Sequence, residues 1–385
     1  MKRILSLALA LTLALSLFVC GGSTATASAG TIDPSLEVYK IGCIFPMTGT
    51  IASSGEYCKN AVELAAEKIN NSGGINGHKV EVIVEDSKGV PRDGIMAYKK
   101  LVDVNKVIAI VPTISSVVMA LVPEVNAADV VMINTLAKTN DIVGAGPRIF
   151  SITIPTSGDG TYQGTFAYEV LGARTAAMLY VKSDVGISYD KFVTEEFERL
   201  GGKILSRDGH DGGTTDFRAV LTKIKQENPD IIFVESQYQE IASIIKQARD
   251  LGIDTQTMSF SSVLSGQFNE ITGKAGNGHL ITVSGYDPEE NLASVQDFVK
   301  SYRDKYGAEP IIDSAMTYDA VMMFAEAIRS NGYTADGISQ GLMDMPGYEG
   351  ATGVIEKFND RHVVSRPIRM QVHQDGKWLY YDEQN

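Results

Sequence analysis

The sequence is poor in the residues that would build a disulfide-stapled domain or a membrane span. Three cysteines and one tryptophan occur in 385 residues, which excludes a disulfide framework as the source of stability. Past the N-terminus no stretch reaches the roughly 20 consecutive apolar residues that a membrane helix needs. Positive charge is scarce too: 34 Lys and Arg stand against 47 Asp and Glu, a formal net charge of -13. A chain this acidic is not built to neutralise nucleic-acid phosphates or to lie on anionic lipid, so nucleic acid is not an expected partner. What is plentiful is ordinary globular material, 44% hydrophobic against 21% charged residues, in a length that suits two domains.

Reactive motifs are missing as well. There is no G-x-S-x-G, H-E-x-x-H, Walker loop or C-x-x-C, and so no signature of a nucleophile, a catalytic metal or a phosphate cradle. The stretch Gly158-Asp159-Gly160-Thr161-Tyr162-Gln163-Gly164 imitates a dinucleotide loop, but its spacing is one residue too long and it does not follow a first strand. The five histidines (His78, His210, His279, His362 and His373) lack ligand spacing. Asp208, Asp211 and Asp216 bracket a glycine turn without calcium-loop spacing and read as turn and capping residues. No cofactor, no metal and no enzymatic activity are expected, and weight moves to binding.

The N-terminus is an address. Met1-Lys2-Arg3 is a short positive region, Ile4 to Val19 is apolar, and Cys20-Gly21-Gly22-Ser23 turns to small residues, the pattern of an export signal. Two processing sites compete. Leu17-Phe18-Val19-Cys20 is similar to the lipobox of bacterial lipoproteins, whose cysteine is acylated, although Phe18 and Val19 are larger than the usual residues there. Ala27-Ser28-Ala29 fits ordinary secretory cleavage. Cys20 at the end of the apolar core, followed by a flexible tether to Gly30, favours the lipid anchor. Cys43 and Cys58 read as small buried hydrophobes, with a disulfide open as an alternative.

From Val38 onward short apolar runs alternate with segments of helical periodicity. Val38 to Phe45, Val80 to Glu85 and Val107 to Val111 read as strands, with helices over Glu56 to Asn70 and Gly94 to Val104. A second series follows Pro155: helices Gln163 to Leu171, Lys191 to Leu200, Phe217 to Glu227 and Glu240 to Leu251, between strands at Ala176, Lys203, Ile231 and Thr257. Such alternation predicts α/β lobes with parallel central sheets and helices on both faces. Long helices over Ala293 to Tyr306 and Ser314 to Ser330, then antiparallel-type strands at Gly353, Ile368 and Trp378, require the chain to cross between lobes more than once. The crossings are expected near Pro155, near Gly285-Tyr286-Asp287-Pro288 and near Met345-Pro346-Gly347. This divides the chain into residues 1–36 (signal and tether), 37–155 plus 286–345 (lobe 1), and 156–285 plus 346–385 (lobe 2).

Ligands of open α/β sheets bind beyond the carboxyl ends of strands, where helix N-terminal amides converge. Three such ends are rich in hydroxyls and amides: Pro112-Thr113-Ile114-Ser115-Ser116, Asn134-Thr135-Leu136-Ala137-Lys138-Thr139-Asn140, and Glu235-Ser236-Gln237-Tyr238-Gln239-Glu240. Amides and hydroxyls at a helix start suit a carboxylate, and simple N-capping by Ser115 or Ser116 is the bland alternative.

The stretch Ile41-Gly42-Cys43-Ile44-Phe45-Pro46-Met47-Thr48-Gly49, with Gly55 and the block Gly73-Gly74-Ile75-Asn76-Gly77, resembles the opening of the periplasmic binding proteins for leucine, isoleucine and valine. Asp86, Ser115-Ser116, Gln163-Gly164, Asp216-Phe217, Lys246-Gln247-Ala248-Arg249 and Tyr318-Asp319-Ala320-Val321 continue the likeness in the family's order. The resemblance implies a type I periplasmic binding protein: two Rossmann-like lobes joined by a three-segment hinge, a ligand enclosed between them, and delivery to the permease subunits of an ABC transporter by a monomer. It further implies that the ligand carboxylate meets Ser115 and the backbone at Thr113. An ammonium would meet the carbonyl of Leu136, a threonine replaced here by Lys138, and a glutamate whose place falls to Ser261. Ser54 and Val185 stand where the family has tyrosines, and Gln237 with Tyr238 stands at a third aromatic position. These departures disfavour an ammonium by a few kcal/mol. The expected ligand is a small organic or aromatic carboxylate held by Ser115, Ser116 and Lys138. In the alternative, Lys138 points to solvent, Thr139 replaces the threonine, Glu235 or Glu240 supplies the acid, and the ligand is a branched-chain or other amino acid. An amide sensor without a transport role is a further alternative, and an enzyme of the cleft would need a Ser/His pairing that the expected loops do not show.

Overall fold

The computed structural model describes residues 37–49, 51–265 and 268–381. The signal, the tether, Cys20 and Ala27-Ser28-Ala29 lie outside the described residues.

Two copies of one topology make up the body. In the first lobe β1 (Val38–Phe45), α1 (Ala52–Asn71), β2 (Lys79–Asp86), α2 (Pro91–Lys99), β3 (Ala109–Pro112), α3 (Ser115–Asn126), β4 (Val131–Asn134) and β5 (Ile149–Ser151) build a five-stranded parallel sheet in the order β2-β1-β3-β4-β5. Every residue of β3 and β4 is buried, because helices cover both faces, and this is why they read as unbroken apolar runs. On α1 the buried residues Cys58, Ala61, Val62, Ala65 and Ile69 recur at helical spacing and form one inward stripe. Cys43 and Cys58 are free thiols within that core. Burial pushes both thiols up, so they are inert packing residues.

The second lobe repeats the plan with α4 (Thr156–Thr165), β6 (Thr175–Val181), α5 (Asp184–Arg199), β7 (Lys203–His210), α6 (Arg218–Glu227), β8 (Ile231–Glu235), α7 (Tyr238–Asp250), β9 (Gln256–Phe260), α8 (Phe268–Thr272) and β10 (Leu280–Ser284). Its parallel strands run β7-β6-β8-β9-β10, the same reversal of order about the first strand. Helix α5 begins at Asp184, earlier than the Lys191 expected, because Ser183 caps it. Gly186 lets that first turn approach the sheet: a Cβ there would lie 2.1 Å from the Val181 carbonyl oxygen.

The chain then returns to the first lobe as α9 (Ala293–Tyr306), α10 (Ile312–Asn331), α11 (Ala335–Asp344) and the hairpin of β11 (Gly347–Gly350) and β12 (Gly353–Glu356). Strands β13 (Ile368–Gln374) and β14 (Lys377–Tyr380) finally extend the second sheet, antiparallel beside β10. The third crossing is therefore displaced from Met345-Pro346-Gly347. Ala351, Ile355, Phe358 and Val364 all bury themselves in the core of the first lobe, so the chain leaves that lobe only at Arg366. Burying a side chain the size of Ile355, Phe358 or Val364 favours folding by about 1.5–3 kcal/mol, and that gain holds residues 347–364 against the first lobe.

One buried side chain ties the crossings together. Arg366, 6% exposed, donates from Nε to the Ile152 carbonyl (2.8 Å) and from Nη1 to the Gly285 carbonyl (3.2 Å) and to the Thr352 carbonyl and Oγ1 (3.1 and 2.8 Å). The counter-charge is the buried Asp319 of α10, whose carboxylate accepts from the amides of Ala351 and Thr352 and from the Thr352 hydroxyl. Burial pushes the Arg366 guanidinium down to about 10, with Asp319 opposing.

Candidate functional site

In both sheets the strand order reverses about the first strand, which opens a crevice at the carboxyl ends of β1 and β3 and another at those of β6 and β8. Beyond β3, Thr113 is fully buried and Ile114 has φ +68°, a left-handed conformation that strains a β-branched residue. That twist starts α3 with no side-chain cap. The Ile114 carbonyl takes the amides of Val117 and Val118, and the amides of Ser115 and Ser116, two residues earlier, have no intrahelical acceptor. They carry the positive end of the helix dipole.

A cavity of about 250 Å³ adjoins this turn. The first lobe contributes Ser115, Ser116, Met119, Thr139 and Asp141, and the second contributes Thr156, Asp184, Val185 and Ser188. Three helix starts, those of α3, α4 and α5, thus border one space with several hydroxyls and two apolar side chains. No basic side chain is among these lining residues, and Asp141 and Asp184 are exposed at its edge. Asn140 closes one wall by reaching across the lobes, donating to Thr156 Oγ1 (2.6 Å) and Ser188 Oγ (2.8 Å) and accepting from the Ser157 amide (3.1 Å). Thr156 and Ser188 are hydrogen-bonded to each other.

Directly behind that wall lies a buried polar cluster. Lys138 of the first lobe places Nζ 3.3 Å from Oδ2 of Asp159 on α4, and Tyr189 of α5 donates its hydroxyl to the same oxygen at 2.5 Å. Asp159 is 1% exposed and Glu235, at the end of β8, is fully buried. Asp159 Oδ1, Glu235 Oε1 and Gln163 Oε1 are buried without a hydrogen-bond partner among the described residues. Burial, and then the Asp159 charge, push the Glu235 carboxyl well above the usual carboxylate range. The Tyr189 hydroxyl is pushed up by burial and by both acids. Lys138 and Asp159 therefore form an ion pair across the lobes, beside a Glu235 whose burial favours its neutral form.

Of the residues expected from the sequence, Ser115 and Ser116 line the cavity, together with Thr139 and Val185. Lys138 turns from the cavity to Asp159. Ser54 donates to Asp313 at the start of α10, and Leu136 packs on the first-lobe core. Gln237 opens α7, its amide donating to Glu240 (3.1 Å). Tyr238 accepts from Gln239, and the half-buried Ser261 begins a short 3-10 turn. Glu240 is taken up by capping, since it also accepts from the Gly213 amide. The sequence reading missed Asp184 and Ser188, whose signal was the Ser183 cap, and Asp159, whose pairing is visible only in three dimensions.

The structure does bring serine to histidine twice. His210 Nε2 lies 2.7 Å from Ser236 Oγ, and His279 sits between Thr257 and Ser259. On the other ring nitrogen His210 meets only the Asp211 backbone carbonyl. Ser236 and His279 are fully buried, and burial pushes the His279 imidazole down to about 3. Neither pair has the orienting carboxylate or the open approach of a nucleophile site. Asp208, Asp211 and Asp216 pair with Lys223, Lys182 and Arg218, and among the described residues no group of three or more His, Cys, Asp or Glu side chains is arranged to hold a metal.

A family model described as "Periplasmic binding protein" matches residues 38–377. The leucine-, isoleucine-, valine-, threonine- and alanine-binding protein of Pseudomonas aeruginosa is 25% identical over 312 residues, covering 80% of this chain and 82% of that one. Among solved structures, the branched-chain amino acid transporter substrate-binding protein of Streptococcus pneumoniae in complex with isoleucine aligns with a TM-score of 0.77 at 28% identity, covering 89% of this chain and 97% of its own. A solute-binding protein of Rhodopseudomonas palustris in complex with 3,4-dihydroxybenzoic acid, at 24% identity and a TM-score of 0.76, covers 90% of this chain and 96% of its own and shares the fold.

Proposed function

The chain belongs to the periplasmic binding protein family, within the branched-chain amino acid type of ABC-transporter substrate-binding proteins, and from that premise we propose that it is an exported monomeric receptor capturing a small carboxylate between its lobes. It is tethered through Cys20 and passes its ligand to the permease subunits of an importer. The observation that carries this reading is the uncapped start of α3, set up by the strained Ile114 and opening on the cavity between the lobes. Free helix-terminal amides with a neighbouring serine hydroxyl bind a carboxylate without any lysine, which suits a lining with no basic residue. Ser115 and Ser116 hold the carboxylate, and Met119 and Val185 meet the apolar part. Closure about the Arg366 hinge raises the population of the shape the permease reads.

Within the carboxylates we favour ligands without an α-ammonium, because Ser261 offers no charge and the buried Asp159 is already paired with Lys138. The second reading, an amino acid, is favoured by Asp141 and Asp184 at the cavity edge and by the isoleucine bound to the Streptococcus relative. Calorimetric titration of purified protein with leucine, valine and their deaminated counterparts separates the two. Tighter binding of the deaminated acids is expected. Tight leucine or valine with weak deaminated acids overturns the choice, and consumption of any ligand revives an enzyme.

A further inference from the structure

We infer that Lys138 is a built-in ammonium, a specificity-determining residue that occupies from within the acidic site a ligand's amino group would otherwise claim. The inference rests on the carboxylate reading above and adds the reason for the ligand class. Three chain neighbours place the cluster immediately behind the cavity wall. Thr139, Thr156 and Ser188 line the cavity. Lys138 precedes Thr139, Asp159 follows Thr156 by one helical turn, and Tyr189 follows Ser188. The Thr156 amide donates to the Lys138 carbonyl (2.9 Å), which fixes the lysine backbone against the start of α4.

The cluster holds more acceptors than donors. Asp159 Oδ1 and Gln163 Oε1 are buried and unpartnered, and the surrounding donors are Lys138 Nζ and the Tyr189 hydroxyl, both on Asp159 Oδ2, Gln163 Nε2 on Thr282 Oγ1 (3.3 Å), and the Phe260 amide on Glu235 Oε2 (3.3 Å). A site this rich in acceptor oxygens and short of donors is made for a cationic, donor-rich group. Lys138 supplies one from the first lobe to Asp159 Oδ2 of the second. A ligand bearing its own ammonium must displace Lys138 or remain unpaired, whereas a ligand with only a carboxylate leaves the cluster undisturbed.

The test compares leucine with 4-methylpentanoate, the same skeleton without the amino group, by calorimetry on wild type, Lys138→Ala and Lys138→Ala/Asp159→Asn. Wild type is expected to prefer 4-methylpentanoate at least tenfold. Lys138→Ala opens the acidic site and is expected to gain at least tenfold for leucine, and the second substitution to abolish that gain. If Lys138→Ala unfolds, Lys138→Met, which keeps the apolar stem, is titrated with both ligands instead; unchanged 4-methylpentanoate binding supports the inference. Loss of 4-methylpentanoate binding by a folded Lys138 variant, with no gain for leucine, overturns it and makes Lys138 a direct ligand of the carboxylate. If wild type binds neither compound nor any other small carboxylate, the receptor reading fails, which is a different result from either of these.

Discussion

Two charge couples join the lobes and differ in character: Arg366 faces Asp319 through the shared Thr352 hydroxyl, whereas Lys138 pairs directly with Asp159. At the hinge Arg366, where the third crossing leaves the first lobe, is tied to the backbone beside the other two crossings at Ile152 and Gly285 and to Thr352, and Asp319 has each carboxylate oxygen occupied. At the cleft Lys138 makes one 3.3 Å contact with Asp159, and acceptor oxygens around it stay unpartnered. A guanidinium is planar and offers five donors, so it can fasten several chain segments at once; an ammonium on a flexible stem is a movable point charge. The hinge pair is built to stay and the cleft pair to respond. A buried pair need not favour folding over apolar packing, but removing one partner leaves an uncompensated charge, and the consequence differs between the two regions.

The largest effect is expected at the hinge. Arg366→Met should lower unfolding free energy by about 3–5 kcal/mol, because Asp319 loses its counter-charge and three carbonyls lose their donor; urea denaturation reads this. A loss below about 1 kcal/mol would make the hinge pair no more essential than a surface contact. Next, Ser115→Ala should leave folding within about 0.5 kcal/mol of wild type while weakening carboxylate binding by about 1.5–3 kcal/mol, the worth of a hydrogen bond to a charged group. Titration together with denaturation separates those two readouts.

The smallest effect belongs to Glu235. Below pH 4.5, where the acid is protonated folded and unfolded alike, Glu235→Gln should change stability by less than about 1 kcal/mol. Its signature is in the pH dependence. The folded pKa lies above the unfolded value of 4.5, so the native state binds the extra proton as pH rises past 4.5, and wild-type stability falls relative to the variant until the folded pKa is passed. A difference that does not change over that range would mean that Glu235 is ionised in the native protein.

How much of this was legible in the sequence depends on the range of each interaction. The alternation of strand and helix, the α3 turn at Ser115 and the buried character of Cys43 and Cys58 are local patterns, and they read correctly. The start of α5 lies earlier than its periodicity suggests, because the Ser183 cap and the close approach of Gly186 to Val181 that fix it are not periodic signals. The third crossing was placed too early because residues 347–364 read as second-lobe strands; only their burial beside α10 assigns them. Asp159 sat in plain view inside a stretch dismissed as a failed dinucleotide loop. Its meeting with Lys138 and Glu235 joins a first-lobe loop to a helix and a strand end of the second lobe, and no periodicity or spacing records that.

The central claim is that the start of α3 seats a carboxylate between the lobes, and the most direct measurement is a titration of the best-binding acid against its primary amide, which has the same shape without the charge. The expected result is at least a tenfold loss of affinity for the amide, a loss reduced by Ser115→Ala. Equal or tighter binding of the amide would contradict the carboxylate seat and turn the protein into an amide receptor.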